Sequence, residues 1–336
     1  MGPPPGFAVT ATIPSKLRPG AHVRVVAPSR SVAAIPQPWR AVADQRTADL
    51  GLQVSFGDHV DELDGFASSS AASRLADLHA AFADPAVDGI LTFIGGYNAN
   101  QLLDGLNLEL IRAHPKPFCG YSDITVLQHA ILAGADLVTY SGPHWSTFGM
   151  RDHAEQTLEW FRACLFDEAP VVIRPARGWT DDAWFAEQDD REVLDTDGWW
   201  VLQPGVAQGG LLGGNLSTLA LLQGTRWWPP LAAAVLIIED DEESHTDDFA
   251  RRLQSLLHQP EAGELAGLLI GRFQRASGVT RQSLTELVTR TPQLRGVPVV
   301  ANADVGHTNP LFTFPVGGAA RLVADPRDPQ LVLERH

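Results

Sequence analysis

PFCGYSDITVLQHAILAG, residues 117–134, is the stretch whose reading decides the fold. PFCGY reads as a short apolar strand and DITVLQHAILAG as the helix that follows it, with only Ser122 between them. A strand that turns so abruptly into a helix pushes the intervening side chain out of the backbone. It also leaves the next amide N–H without an intrahelical partner.

Working upstream, the same alternation repeats. HVRVVAPS (residues 22–29) is a β-branched run ending in turn residues, and residues 36–50 carry Trp39, Val42, Ala43, Arg46 and Leu50 at helical spacing. LQVSFG is the next strand, and a helix capped by Ser70 or a neighbour follows, with Leu75, Leu78, His79 and Phe82 on one face. DGILTFIGG (residues 88–96) reads as a strand and NQLLDGLNLELIRA as a helix kinked near Gly105. Strands alternating with helices predict an α/β fold built on an open, mostly parallel sheet covered on both faces.

Downstream the alternation breaks. Over residues 168–208, Pro170, Pro175, Gly178, Gly198 and Pro204 punctuate a segment rich in Trp and acidic residues. Beyond it, GGLLGGNL, a strand AAVLIIED, a helix near 247–258, a strand GLLIGRF, a helix near 283–291 and a strand VPVVANAD predict a second α/β unit. The expected domains are therefore 1–167 and 209–336, with 168–208 as a Trp-rich linker or substrate loop. A chain of 336 residues suits two such units.

The formal charge of −15, with no basic cluster, argues against a nucleic-acid polymer as partner. Two scattered cysteines, Cys119 and Cys164, supply neither a disulfide framework nor a zinc site. No signal-like start or membrane-length apolar run is present in the sequence, so a cytoplasmic location and no membrane partner are expected. The histidines lack ligand spacing, and neither a dinucleotide fingerprint nor a P-loop occurs. No metal and no other cofactor is expected.

Gly120-Tyr121-Ser122-Asp123 fits a nucleophile elbow, although Thr125 stands near where an α/β-hydrolase would carry its second glycine; Ser122 or Asp123 as a plain helix N-cap is the competing reading. Gly95-Gly96-Tyr97-Asn98 also follows a parallel strand, where ligands of open α/β sheets collect. It suits backbone donation to a ligand or a simple turn. Glu239 and His307 close strands in the second half. A serine hydroxyl needs a base, and that base needs a carboxylate to orient it.

GYSDIT (120–125), FIGGYNANQLL (93–103), GGNLSTLALLQGT (213–225), LIIED (236–240) and DVGHTNP (304–310), in this order, resemble the LD-carboxypeptidase family of serine peptidases, S66. The resemblance implies an N-terminal Rossmann-like parallel sheet bearing the nucleophile elbow and a smaller C-terminal α/β domain. It further implies Ser122 as nucleophile, Glu239 as the acid, His307 as the base, and the backbone N–H groups of Gly96 and Asp123 as the oxyanion hole. Asn215, in the Gly-rich motif, is a candidate for substrate binding, and a homodimer is implied.

Within that family, GGYNANQLL and the long Trp-rich connection look more like the peptidases of microcin C immunity than those of peptidoglycan recycling. The former cleave an aminoacyl or peptidyl group from a modified nucleotide; the latter remove a terminal D-Ala from a muropeptide. Trp179 and Trp184 are candidates to stack on a base, whereas Trp199 and Trp200 suit a domain junction or a dimer interface. A non-catalytic small-molecule binding protein is the reading from another class.

Overall fold

The computed structural model describes residues 11–336. The first half contains the strands β1 (His22–Val26), β2 (Gln53–Phe56), β3 (Gly89–Thr92), β4 (Phe118–Gly120) and β5 (Thr139–Ser141). Helices α1 (Arg40–Asp49), α2 (Ala71–Ala83), α3 (Leu108–Ala113) and α4 (Thr125–Ala135) connect the first five strands, and α5 (Glu155–Leu165) follows β5. The pairs β2–β1, β1–β3, β3–β4 and β4–β5 are all parallel. Their carboxyl ends therefore lie along one edge, which brings the turns after β1, β3 and β4 together.

Local sequence explains these elements. Ser70 caps α2 by accepting from Ser73 N. The expected helix near Gly105 resolves into a 3₁₀ turn, Ala99–Gly105, and the short α3, capped by Asn107. Helix α4 is buried on almost every side. Its Gln128 side chain donates to the Gly120 and Tyr140 carbonyls, tying the helix to β4 and β5.

The second half contains β6 (Val171–Ile173), the small hairpin β7 (Gly178–Trp179) and β8 (Leu194–Asp195), then β9 (Trp200–Gln203), β10 (Gly205–Asn215), β11 (Ala234–Glu239), β12 (Gly267–Gly271) and β13 (Val299–Ala303). It closes with β14 (Phe314–Val316), β15 (Ala319–Ala324) and β16 (Gln330–Arg335). An eight-stranded sheet runs β6-β16-β15-β10-β11-β12-β13-β9. Its middle, β10 to β13, is parallel, and antiparallel strands flank it. Helices α6 (Leu216–Ala220), α7 (Thr246–Leu257) and α8 (Arg281–Arg290) complete this half.

Two features depart from the expected layout. Residues 168–208 are not a bare linker, because β6 and β9 become strands of the second sheet. Strand β14, from the C-terminal half, pairs antiparallel with β5 and finishes the first sheet. The halves are thus interlaced by backbone hydrogen bonds as well as by side chains. A buried ion pair reinforces the return: Arg272 and Asp304 meet at 2.6 Å, and Asp304 also accepts from Trp199 Nε1 and the Ala176 N–H. That pair pins the Trp-rich segment beneath the loop that carries His307.

Candidate active site

Strand β4 ends at Gly120, and Ser122 takes φ +60, a left-handed conformation that a non-glycine residue adopts only at some cost. The left-handed Ser122 opens the 3₁₀ turn Ser122–Ile124, which leads into α4. The N-cap reading of this stretch gives way to a different bonding pattern. Ser122 makes no capping bond, and the Asp123 carboxylate accepts from Ser29 Oγ at 2.5 Å and Ala99 N at 2.8 Å. Asp123 so ties together the turns that follow β1, β3 and β4.

Ser122 Oγ lies 3.0 Å from His307 Nε2, and His307 Nδ1 lies 2.8 Å from Glu239 Oε2. A carboxylate only accepts, so Nδ1 carries the proton and Nε2 is free to accept from the serine hydroxyl. Glu239 is the last residue of β11 and is 3% exposed. The space beside it depends on Gly306, at φ +110: a Cβ there would sit 2.7 Å from Glu239 Oε2. Burial pushes the His307 pKa down, but the charge and hydrogen bond of Glu239, with Asp241 and Asp240 behind them, outweigh burial and hold it above the ordinary 6.5.

The Gly95–Gly96 turn packs directly on the serine. A Cβ on Gly95 would lie 3.0 Å from Ser122 Cβ and 3.1 Å from its Oγ, so only glycine lets this backbone approach so closely. His144 packs at a tilt against Tyr121 with ring centroids 4.4 Å apart, and Tyr121 in turn lies 5.3 Å from the His307 ring. Burial, with a smaller contribution from His307, depresses the His144 pKa to about 3, so this second histidine is neutral.

Ser122, Gly96 and His307 line a pocket of about 380 Å³. Ile35, Trp39, Ile94, Trp184 and Phe185 supply an apolar wall, while Asp181, Asp182, Asp241, Glu242 and Glu243 supply an acidic one, with Arg30 among them. Trp184 meets Trp39 edge-on at 5.8 Å. The five acidic lining residues lie on two loops distant in sequence, and only the fold brings them to one pocket.

The remaining candidates fall elsewhere. Trp179 lines a separate cleft of about 410 Å³ with His153, Glu155 and Arg177. A two-residue backbone bridge, Thr180 with Asn309, stands where the clefts meet, and Asn309 lines both. Trp179 is also engaged by Arg272, 5.1 Å from its ring. Asn215 does not line the serine pocket. Its Oδ1 accepts from Thr218 N and Ser217 Oγ at the start of α6, and its Nδ2 donates to Asp240. Its backbone N–H reaches Thr125 Oγ1, which itself donates to the Ser122 carbonyl. Asn215 thus supports the elbow from behind. Trp199, as expected of a junction residue, is buried.

Comparison with known proteins agrees with this architecture. Residues 23–142 match the LD-carboxypeptidase N-terminal domain and residues 208–322 the LD-carboxypeptidase C-terminal domain. YocD of Bacillus subtilis (strain 168), a protein named as a carboxypeptidase, is 44% identical over 96% of this chain and 99% of its own. The crystal structure of an MccF-like protein from Bacillus anthracis str. Ames superposes with a TM-score of 0.95 at 42% identity, covering 97% of this chain and all, 100%, of that one. Microcin C7 self-immunity protein MccF in complex with aspartyl sulfamoyl adenosine shares the fold, with a TM-score of 0.86 at 24% identity over 97% and 99% of the two chains. With both family domains matched in order around one two-sheet scaffold, this chain is a member of the LD-carboxypeptidase family, S66, and a peptidase by that membership.

Proposed function

We propose that the protein is a serine peptidase that hydrolyses an amide bond through an acyl-enzyme on Ser122, with His307 as general base and then acid and Glu239 as its orienting carboxylate. The observation that carries this reading is the unbroken relay from Ser122 Oγ to His307 Nε2 at 3.0 Å and from His307 Nδ1 to Glu239 Oε2 at 2.8 Å. Ser122 attacks the substrate carbonyl while its proton passes to Nε2. The tetrahedral oxyanion is held by the backbone N–H groups of Asp123 and Gly96. Collapse breaks the amide bond, and the leaving nitrogen takes the proton from His307. Water then repeats the sequence with His307 as base and frees the acid.

The substrate class we favour is an aminoacyl or peptidyl group joined to a nucleotide analogue. Support comes from the apolar wall, in which Trp184 lines the same pocket as Ser122, and from the aspartyl sulfamoyl adenosine ligand of MccF. A base stacked on an aromatic ring gains roughly 1–3 kcal/mol. Membership in the family also suggests a homodimer and a cytoplasmic setting; among the described residues no helix is long and apolar enough to cross a membrane.

The test is product analysis by mass spectrometry after incubation with aspartyl sulfamoyl adenosine and, separately, a disaccharide tetrapeptide ending in D-Ala. Release of free amino acid by wild type and not by Ser122→Ala is expected. Loss of terminal D-Ala alone identifies a murein carboxypeptidase instead, and undiminished turnover by a folded Ser122→Ala variant refutes the nucleophile.

A further inference from the structure

Tyr97 follows the Gly95–Gly96 turn directly and is 67% exposed, yet its hydroxyl donates to Glu243 Oε1 at 3.0 Å. The two residues stand 146 positions apart in the chain. Tyr97 belongs to the turn after β3, in the first sheet. Glu243 belongs to the loop after β11, the strand that ends in Glu239 in the second sheet. Both residues line the pocket that holds Ser122. Burial and Glu243 raise the Tyr97 pKa, so the phenol keeps the proton it donates.

The two partners are held differently at their roots. On the Glu243 side, the Glu243 N–H donates to Asp241 and the Glu242 N–H to Gln274, so the loop is fastened to its own half. On the Tyr97 side, Asn98 is gripped by Arg74 and Ala99 N by Asp123, so the turn is anchored downstream. Upstream, the Gly95 carbonyl accepts a 3.3 Å bond from Arg30 N. Between these anchors sits Gly96, whose N–H is the proposed oxyanion donor. The Tyr97 side chain ties that stretch across the cleft.

We infer that Tyr97 is a positioning residue: its bond to Glu243 is a strap across the pocket that holds the Gly95–Gly96 turn against Ser122. The inference rests on the serine-peptidase reading above. An oxyanion donor acts on the transition state more than on the bound substrate, so a slack strap lowers kcat and leaves KM nearly alone.

The experiment compares Tyr97→Phe, Glu243→Ala, Glu243→Gln and the double variant Tyr97→Phe/Glu243→Ala, with aspartyl sulfamoyl adenosine as substrate. Losing one hydrogen bond of this kind predicts about a tenfold fall in kcat for Tyr97→Phe and Glu243→Ala, with KM within about twofold. Glu243→Gln keeps an acceptor oxygen, so it recovers most of the kcat that Glu243→Ala loses, and the double variant falls no further than either single. Hydrogen exchange of the peptide spanning residues 93–101 reads the same strap without substrate: faster in Tyr97→Phe and Glu243→Ala, unchanged in Glu243→Gln. Wild-type kcat and exchange in Tyr97→Phe, or losses that multiply in the double variant, overturn the inference. Turnover that survives Ser122→Ala instead overturns the nucleophile assignment, while the exchange measurement still judges the strap.

Discussion

Replacing Glu239 with glutamine keeps the shape of the side chain and removes its charge, so it isolates what the carboxylate does for His307. During attack the imidazole becomes an imidazolium, with its Nδ1 2.8 Å from Glu239 Oε2. Glu239 is almost wholly buried and the His307 side chain is 20% exposed, so an intermediate effective dielectric applies. At an effective dielectric of 20, opposite unit charges about 4 Å apart attract by about 4 kcal/mol. At 1.36 kcal/mol per decade, that attraction corresponds to about a thousandfold in kcat/KM.

The pH profile gives a second, independent reading of the same change. The base must be neutral to accept the serine proton, so activity rises as pH passes upward through the His307 pKa. In the wild type that pKa lies above 6.5, because the carboxylates outweigh burial. In Glu239→Gln the largest raising influence is gone while burial remains, so the acid limb moves to lower pH as the plateau drops. Steady-state kcat/KM measured from pH 5 to 9 on both proteins is the assay. A loss smaller than about tenfold, or an acid limb that stays put or moves upward, refutes the relay through Glu239.

Further outcomes follow from the surroundings of the site. Trp184→Ala should raise KM for an aminoacyl sulfamoyl adenosine by roughly five- to a hundredfold, the equivalent of one lost stacking contact. Trp179→Ala, in the neighbouring cleft, should leave that KM within about twofold, and equal effects of the two substitutions would contradict the division between the clefts. Asn215→Ala removes the cap of α6 and the bond to Asp240, so chemical denaturation should register a loss of about 1–2 kcal/mol. Its KM should hold steady; a rise in KM without a loss of stability would restore Asn215 as a substrate contact.

Most of the parallel framework was legible because its signals are local. Ser70 caps α2, the β-branched run at 22–26 forms β1, and AVLIIE forms β11, since capping and apolar runs act over a few residues. Residues 168–208 were harder. Val171–Ile173 and Trp200–Gln203 are short segments that become strands only because distant edges, β16 and β13, offer them hydrogen bonds. Strand β14 joins the first sheet for the same nonlocal reason.

The site divides along a similar line. The sequence alone determined where reactive side chains could be presented: in a parallel sheet the carboxyl ends of the strands face the same edge, and GYSD, GGYN, IIED and VGHT all lie at or just past such ends. Resemblance in those motifs then supplied the roles expected of Ser122, Glu239 and His307. Only the tertiary structure decided which groups actually meet. It separated Trp179 from the pocket that Trp184 lines, turned Asn215 inward as a support, and brought Tyr97 to Glu243. Spacing along the chain specifies a residue's direction within its own element. Contact between two elements depends on how the sheets pack, and that is set by the whole buried core at once.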